Sequence, residues 1–377
     1  MTVSMTDLTA QYRVLKPEID EAIQRVLTTG TFILGNEVKS FEQAVAEYTG
    51  TSQAVGVASG TDALLLALLA CGIGEGDEVI TTPFSFVATS ESIARTGATP
   101  VFVDIESNTL NIDGQALANA ITPRTKGIVL VHLYGHPCDM TTLMSLAKKH
   151  DLRVVEDCAQ AMGATWQGQK VGSFGDCGCF SFFPSKMLGA YGDGGLVTTH
   201  DPVIAERLRI LRSHGARTRY HYDTNGFNSR LDSLQAAILK VKLQHLPEWI
   251  DSRRAIAARY GETLDTIPGV QTPFEHPVAG HVFNYYTIRI DGAAARRDSL
   301  AAHLKNSDVA SAVYYPIPLH VQHLHSNLGY KHDDFPHAAL ASHQVLALPI
   351  YPDMTRTQVQ QVIDAVSSFK GFKYIGE

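Results

Sequence analysis

The chain predicts an α/β protein in which a large three-layer α/β/α unit precedes a smaller α+β unit. Its 377 residues exceed what one hydrophobic core usually encloses, so two units are expected. Up to about residue 200, continuous apolar runs rich in β-branched residues alternate with helical patterns, as in a mostly parallel sheet covered on both faces. Beyond that point long helical patterns take over, followed by a short mixture of strand-like and helix-like segments. The boundary is placed between residues 246 and 247, giving a large unit over 1–246 and a small one over 247–377.

Taken in order, residues 17–27 read as a helix with Pro17 in its first turn and Gly30 beyond its end, and residues 38–48 as a second helix stopped at Gly50. The apolar run 63–71 falls far short of the ~20 residues of a membrane span and reads as a buried helix. Strands are expected over 78–81, 100–104, 127–131, 152–155 and 178–182, with a helix over 139–149. Residues 231–246 form part of the long helical stretch. In the small unit, 285–290 alternates like a strand, 297–304 is helix-like, 309–315 strand-like and 355–369 a last helix.

A formal net charge of −7 argues against a nucleic-acid or anionic-membrane surface, both of which need clustered cations. Five cysteines (Cys71, Cys138, Cys158, Cys177, Cys179) form an odd set without Cys-x-x-Cys spacing, which disfavours a disulfide framework and a structural zinc site. The first residues carry neither a cationic stretch nor an apolar core. A cytoplasmic protein with reduced thiols is the expectation.

The chemistry centres on Lys186. It lies among small and apolar residues, Ser181-Phe-Phe-Pro-Ser-Lys186 followed by a glycine-rich run to Gly195. Upstream, Asp157 closes the apolar run 152–157. A lysine amine for a Schiff base and a strand-end carboxylate for a pyridinium nitrogen are what a pyridoxal-phosphate (PLP) enzyme needs. A solvated lysine and a helix-capping aspartate are the plainer alternatives. In α/β sheets, ligands collect at the carboxyl ends of the strands, where both residues fall. Ala58-Ser-Gly-Thr-Asp-Ala63, running into an apolar helix, suits a phosphate at a helix N-terminus, although such a turn is also an ordinary cap. Glu156 should face away from Asp157 by strand alternation and is given no catalytic role.

Ser59-Gly-Thr-Asp-Ala-Leu64, Glu156-Asp-Cys-Ala-Gln-Ala161, Ser181 to Lys186, Gly192-Asp-Gly-Gly195, Gly226-Phe-Asn-Ser-Arg-Leu-Asp232 and Tyr315-Pro-Ile-Pro-Leu319 occur in this order. With them the chain resembles the nucleotide-sugar aminotransferases of the DegT/StrS group over nearly its whole length. The resemblance implies an aspartate-aminotransferase-like fold, PLP as cofactor, glutamate as amino donor and a homodimer with shared active sites. It implies that Gly60 and Thr61 form the phosphate turn with Ser181, that Phe86 stacks on the cofactor ring unless it is a core residue, that Asp157 pairs with the ring nitrogen, and that Gln160 lies near the ring hydroxyl. Asn228 would reach the phosphate from the partner subunit.

Members that aminate carbon 4 often carry histidine where Gln160 stands, and the run Leu188 to Gly195 is similar to enzymes that aminate 3-keto sugars. Arg212-Ser-His-Gly, Arg219-Tyr-His and Val313-Tyr-Tyr-Pro resemble most the aminotransferases of UDP-2-acetamido-2-deoxy-3-oxo-glucuronate. Arg230 would then pair with the sugar carboxylate or with glutamate. Tyr314 and Tyr315 would face the sugar, Tyr314 at a position where histidine is expected. His214, Arg217, Arg219 and His221 would either bind a nucleotide diphosphate or form a solvated loop. His320, His323 and His325 lack a carboxylate or cysteine to complete a metal site, and no metal is expected. A related dehydratase replaces the Schiff-base lysine with histidine, so Lys186 speaks against it. The alternatives left are a dTDP-3-keto-6-deoxyhexose or a 4-keto sugar as acceptor, or a PLP-binding regulatory protein without catalysis.

Overall fold

The computed structural model describes residues 2–374. Its centre is a seven-stranded sheet of β1 (Gln53–Val57), β2 (Glu78–Thr81), β3 (Thr99–Phe102), β4 (Thr125–Val131), β5 (Arg153–Asp157), β6 (Cys177–Ser181) and β7 (Gly195–Thr199). The spatial order is β1-β7-β6-β5-β4-β2-β3. Pairs from β3 to β6 are parallel, whereas β7 runs antiparallel to both β6 and β1. Helices cover both faces, and the strands are buried nearly throughout, as their β-branched apolar runs require.

The early helices are α1 (Leu8–Thr29), α2 (Asn36–Thr49), α3 (Gly60–Ala70) and α4 (Ala88–Arg95). α1 begins well before Pro17, because the Asp7 side chain accepts from Ala10 N and caps it; Pro17 lies inside the helix and not in its first turn. Gly30 and Gly50 end α1 and α2 in left-handed conformations at φ of 65° and 79°, which glycine adopts without a Cβ penalty. The expected strand over 309–315 does not form. The segment makes only isolated bridges, Val3 to Val309 and Ala312 to Ala347, and Pro316 and Pro318 beyond it cannot donate to a ladder. Strands β1 and β7, and Val345–Leu348 in the C-terminal sheet, had no counterpart among the expected elements.

A 32-residue helix, Ser233–Leu264, runs through position 246. Its first half packs on α1 and α2, where Leu239, Leu243 and Leu246 join Phe41 and Phe182. On that half Gln235 Oε1 accepts from Tyr191 N at 2.8 Å and the fully buried Lys242 donates to Gly189 O at 2.7 Å. Its second half enters a separate core with Tyr286, Ile288, Leu346 and Val362. There Arg253 donates to Phe283 O at 3.1 Å and Ile350 O at 2.7 Å. Among the described residues no helix is long and apolar enough to cross a membrane.

Candidate active site

A cavity of about 420 Å³ opens at the carboxyl ends of the parallel strands. β5 delivers Asp157 and the turn after it Gln160; β6 delivers Ser181 and then Lys186; the start of α3 brings Ser59, Gly60 and Thr61; the segment after β2 brings Ser85 and Phe86. Tyr285, Tyr314 and Tyr315 form the wall from the C-terminal part of the chain.

Lys186 sits in a closed turn: its N–H donates to Phe183 O and Ala190 N to Phe182 O, both at 2.8 Å. Burial lowers its ammonium to about 8, only partly opposed by the charge of Asp157. Half-buried and lining the cavity, it differs from an ordinary solvated lysine. Asp157 is buried, which pushes its carboxyl up; Thr89 Oγ1 donating to Oδ2 at 2.8 Å, Ala159 N donating to Oδ1 at 3.2 Å and the charge of Lys186 act in the opposite sense. Asp157 caps no helix, and its side chain turns back on a backbone N–H two residues on.

At the other end Ser59 caps α3, its hydroxyl accepting from Asp62 N at 3.1 Å. The N–H groups of Gly60 and Thr61 lie in the first turn, where a helix has no internal acceptors for them. A Cβ on Gly60 would stand 2.6 Å from Ser181 Cβ, and one on Gly195 would stand 2.2 Å from Ser59 O. Glycine thus keeps open a cradle with N–H donors, a helix dipole and the Ser181 hydroxyl. That donor set fits the phosphate of pyridoxal phosphate, and Lys186 and Asp157 fit its aldehyde and ring nitrogen.

Phe86 is 55% exposed, so it is not a core residue; it lines the cavity with its ring centroid 6.3 Å from that of Tyr315. The amide of Gln160 has one orientation, since Oε1 accepts from Tyr134 N at 2.8 Å and Nε2 donates to Tyr315 Oη at 3.0 Å. The Tyr315 hydroxyl, having accepted there, keeps its own hydrogen to donate.

Other sequence-derived candidates lie elsewhere. Asn228 is exposed, bridged to Ser213, and Arg230 half-buried; neither lines this cavity within one chain. Arg212 is a structural residue: buried, it donates to Glu42 at 2.6 Å and to Gly56 O at 2.7 Å. In the loop after it Arg217 is held by Glu206 and Asp223, each at 3.1 Å, and Arg219 lies over the Tyr220 ring. His320 and His325 are buried and bonded to His332 O and Ser90 Oγ, while His323 is exposed.

His132, Glu156 and Cys158 do cluster, but their bonds are internal. Glu156 takes Gly172, Phe174 and Gly175 N–H groups at 2.8–2.9 Å and His132 Nε2 at 3.1 Å, and His132 Nδ1 accepts from Cys138 N at 3.1 Å. Among residues the sequence did not single out, Thr89, Ser85 and Tyr134 matter most. Thr89 stands three positions after Phe86, one helical turn on, which was the available signal.

The chain matches the DegT/DnrJ/EryC1/StrS aminotransferase family over residues 14–367. It is 47% identical to a pleiotropic regulatory protein of Geobacillus stearothermophilus, over 98% of this chain and 99% of that one. It is 46% identical to the UDP-N-acetyl-3-dehydro-alpha-D-glucosamine 3-aminotransferase of Acidithiobacillus ferrooxidans, over 97% of each. It is 42% identical to the UDP-2-acetamido-2-deoxy-3-oxo-D-glucuronate aminotransferase of Pseudomonas aeruginosa, over 97% of this chain and 100% of that one. Among solved structures, DesV of Streptomyces venezuelae superposes with a TM-score of 0.94 at 44% identity, covering 97% of both chains. NtdA of Bacillus subtilis, solved with bound cofactor PMP, gives 0.87 at 32% identity, covering 95% of this chain and 82% of that one.

The fold and site define a PLP-dependent transaminase of the aspartate-aminotransferase-like class. The chain belongs to the DegT/DnrJ/EryC1/StrS aminotransferase family, and it is a nucleotide-sugar aminotransferase.

Proposed function

We propose that the chain, folded as units 1–246 and 247–377, moves an amino group from glutamate to carbon 3 of a 3-keto nucleotide sugar, as a cytoplasmic homodimer with shared active sites, in amino-sugar or cell-surface polysaccharide biosynthesis. The observation that carries the choice of carbon 3 is Gln160, fixed between Tyr134 N and Tyr315 Oη where carbon-4 enzymes of the group often carry histidine.

The bound cofactor supplies an electron sink conjugated to the carbon that gains or loses the amine. Lys186 would hold the cofactor covalently, and its amine, once released, would carry a proton between the substrate carbon and the cofactor carbon in each half-reaction; burial of its ammonium favours the neutral amine that such a base needs. Asp157 would hold a proton on the ring nitrogen, Gly60, Thr61 and Ser181 would hold the phosphate, and Phe86 would lie against the ring. Asn228 and Arg230, outside the cavity of their own chain, serve the partner's site.

The acceptor class is a UDP-2-acetamido-2-deoxy-3-oxo hexose. Its glucuronate member requires Arg230 from the second subunit to meet the carboxylate. A second reading, the same sugar with an alcohol at carbon 6, is favoured by Lys186 being the only cation among the described residues lining the cavity. The pyridoxamine form, offered UDP- and dTDP-linked 3-keto and 4-keto sugars, should regain the aldehyde form fastest with a UDP-3-keto sugar. Preference for a 4-keto sugar would overturn the carbon-3 assignment, and preference for the alcohol over the glucuronate would overturn the carboxylate.

A further inference from the structure

Asp157 is held by a short chain of hydroxyls. Its Oδ2 accepts from Thr89 Oγ1 at 2.8 Å, and Thr89 Oγ1 lies 2.9 Å from Ser85 Oγ. Each hydroxyl owns one hydrogen, and an ionised carboxylate can only accept. The Thr89 hydrogen is therefore committed to Asp157, which makes Ser85 the donor in the second contact. The chain is directional, Ser85 to Thr89 to Asp157, and it points toward negative charge. Thr89 is 0% exposed and Ser85 3%, so removing the Thr89 hydroxyl would leave a buried carboxylate oxygen without its donor.

The placement ties this chain to the cofactor platform. Thr89 N donates to Phe86 O at 3.2 Å, so the exposed ring of Phe86 and the hydroxyl of Thr89 belong to the same turn at the start of α4. Asp157 Oδ1 has a single backbone donor, Ala159 N, and retains a lone pair.

We propose that Thr89, backed by Ser85, is a positioning residue that keeps Asp157 ionised and leaves its second oxygen free to hold the proton of the cofactor's ring nitrogen. The assignment rests on Asp157 serving that nitrogen and is independent of which sugar is aminated. A carboxylate buried as Asp157 is would otherwise favour its neutral form and share a proton with the ring less well. Thr89 does not touch the reacting atoms; it acts through Asp157.

The test is Thr89→Val, which keeps the shape and removes the hydroxyl, beside Thr89→Ser, which keeps the hydroxyl. Each holoenzyme is reconstituted with PLP labelled with nitrogen-15 in the ring, and the ring-nitrogen chemical shift is measured with the glutamate half-reaction. Thr89→Val should move the shift toward the unprotonated value and slow the half-reaction by about tenfold to a hundredfold, the loss of one hydrogen bond to a charged group, with the KM for glutamate nearly constant. Thr89→Ser should restore most of both. Ser85→Ala, a milder change that keeps the Thr89 hydroxyl, should displace the nitrogen shift in the same direction by less. A wild-type nitrogen shift in Thr89→Val and Ser85→Ala, or a Thr89→Ser enzyme as impaired as Thr89→Val, would overturn the proposal. Neither result would bear on the sugar, which is read in the second half-reaction.

Discussion

Gly195 and Ser59 meet backbone to backbone: a Cβ on Gly195 would stand 2.2 Å from the Ser59 carbonyl oxygen. The start of β7 thereby fixes the turn that opens α3, and with it the N–H groups of Gly60 and Thr61. Gly195→Ala must push that turn away. We expect PLP affinity to fall by about tenfold or more, because the phosphate donors are displaced together. Equilibrium dialysis of the apoprotein against PLP measures this, and unchanged affinity would mean that the turn is not the phosphate site.

Lys186 offers a pH-dependent readout. Its amine must be neutral to attack an aldehyde, and burial brings its ammonium from 10.5 to about 8. The rate of PLP attachment to the apoprotein should therefore climb as pH rises through about 8. The same depression means that the folded chain binds fewer protons here than the unfolded one between pH 8 and 10.5, so this residue makes the apoprotein more stable as pH rises across that window. Lys186→Ala should abolish borohydride-trappable cofactor and turnover. Retained turnover would remove the lysine from the mechanism.

Gln160 and Tyr315 form a pair whose effect should appear in the sugar half-reaction. Tyr315→Phe removes the one hydroxyl hydrogen that Gln160 leaves free, and we expect the second half-reaction to slow by about tenfold while the first stays within about threefold. Stopped-flow measurement of the two halves separates them. Equal slowing of both would place Tyr315 on the cofactor and not on the sugar.

Asn228 and Arg230 can be tested by mixing subunits. Lys186→Ala and Arg230→Ala are each expected to be inactive as homodimers. Unfolded together and refolded, they should recover about a quarter of wild-type activity, because half the dimers are mixed and each mixed dimer holds one intact site. No recovery would place Arg230 in its own chain's site, and an active Arg230→Ala homodimer would place it outside catalysis.

Glu42→Leu probes the ion pair behind the site. It strands the buried Arg212 guanidinium, now left with only Gly56 O, and should cost about 3–5 kcal/mol. Thermal unfolding of the variant would show this as a lowered midpoint, and an unchanged midpoint would mean that Arg212 finds another acceptor.

Much of this architecture is written locally. The apolar runs at β2, β4, β5 and β6 are continuous because those strands are buried on both faces, and such runs are readable one at a time. β7 is harder to see: it starts within a glycine series, and what makes it a strand is pairing with β6 on one side and with β1, far away in sequence, on the other. Residues 309–315 show the reverse error, a β-like pattern with no neighbour to pair with continuously. At the site, Lys186, Asp157 and the turn at Gly60 carry their chemistry in their immediate context. Thr89 does not, since a threonine on a helix acquires meaning only from the carboxylate 2.8 Å away. Arg212 is similar: it stands in a motif shared with the family, and only its partners Glu42 and Gly56 reveal that it is structural.

The helix Ser233–Leu264 is about 48 Å long at 1.5 Å per residue. One end grips Gly189 and Tyr191, just past Lys186, and the other is riveted through Arg253 to Phe283 and Ile350. It is one continuous element joining the turn that carries Lys186 to the C-terminal core. A substitution that crowds or loosens the packing around Leu264, remote from the cavity, is therefore expected to displace the turn that carries Lys186, and the rates of the two half-reactions would show it.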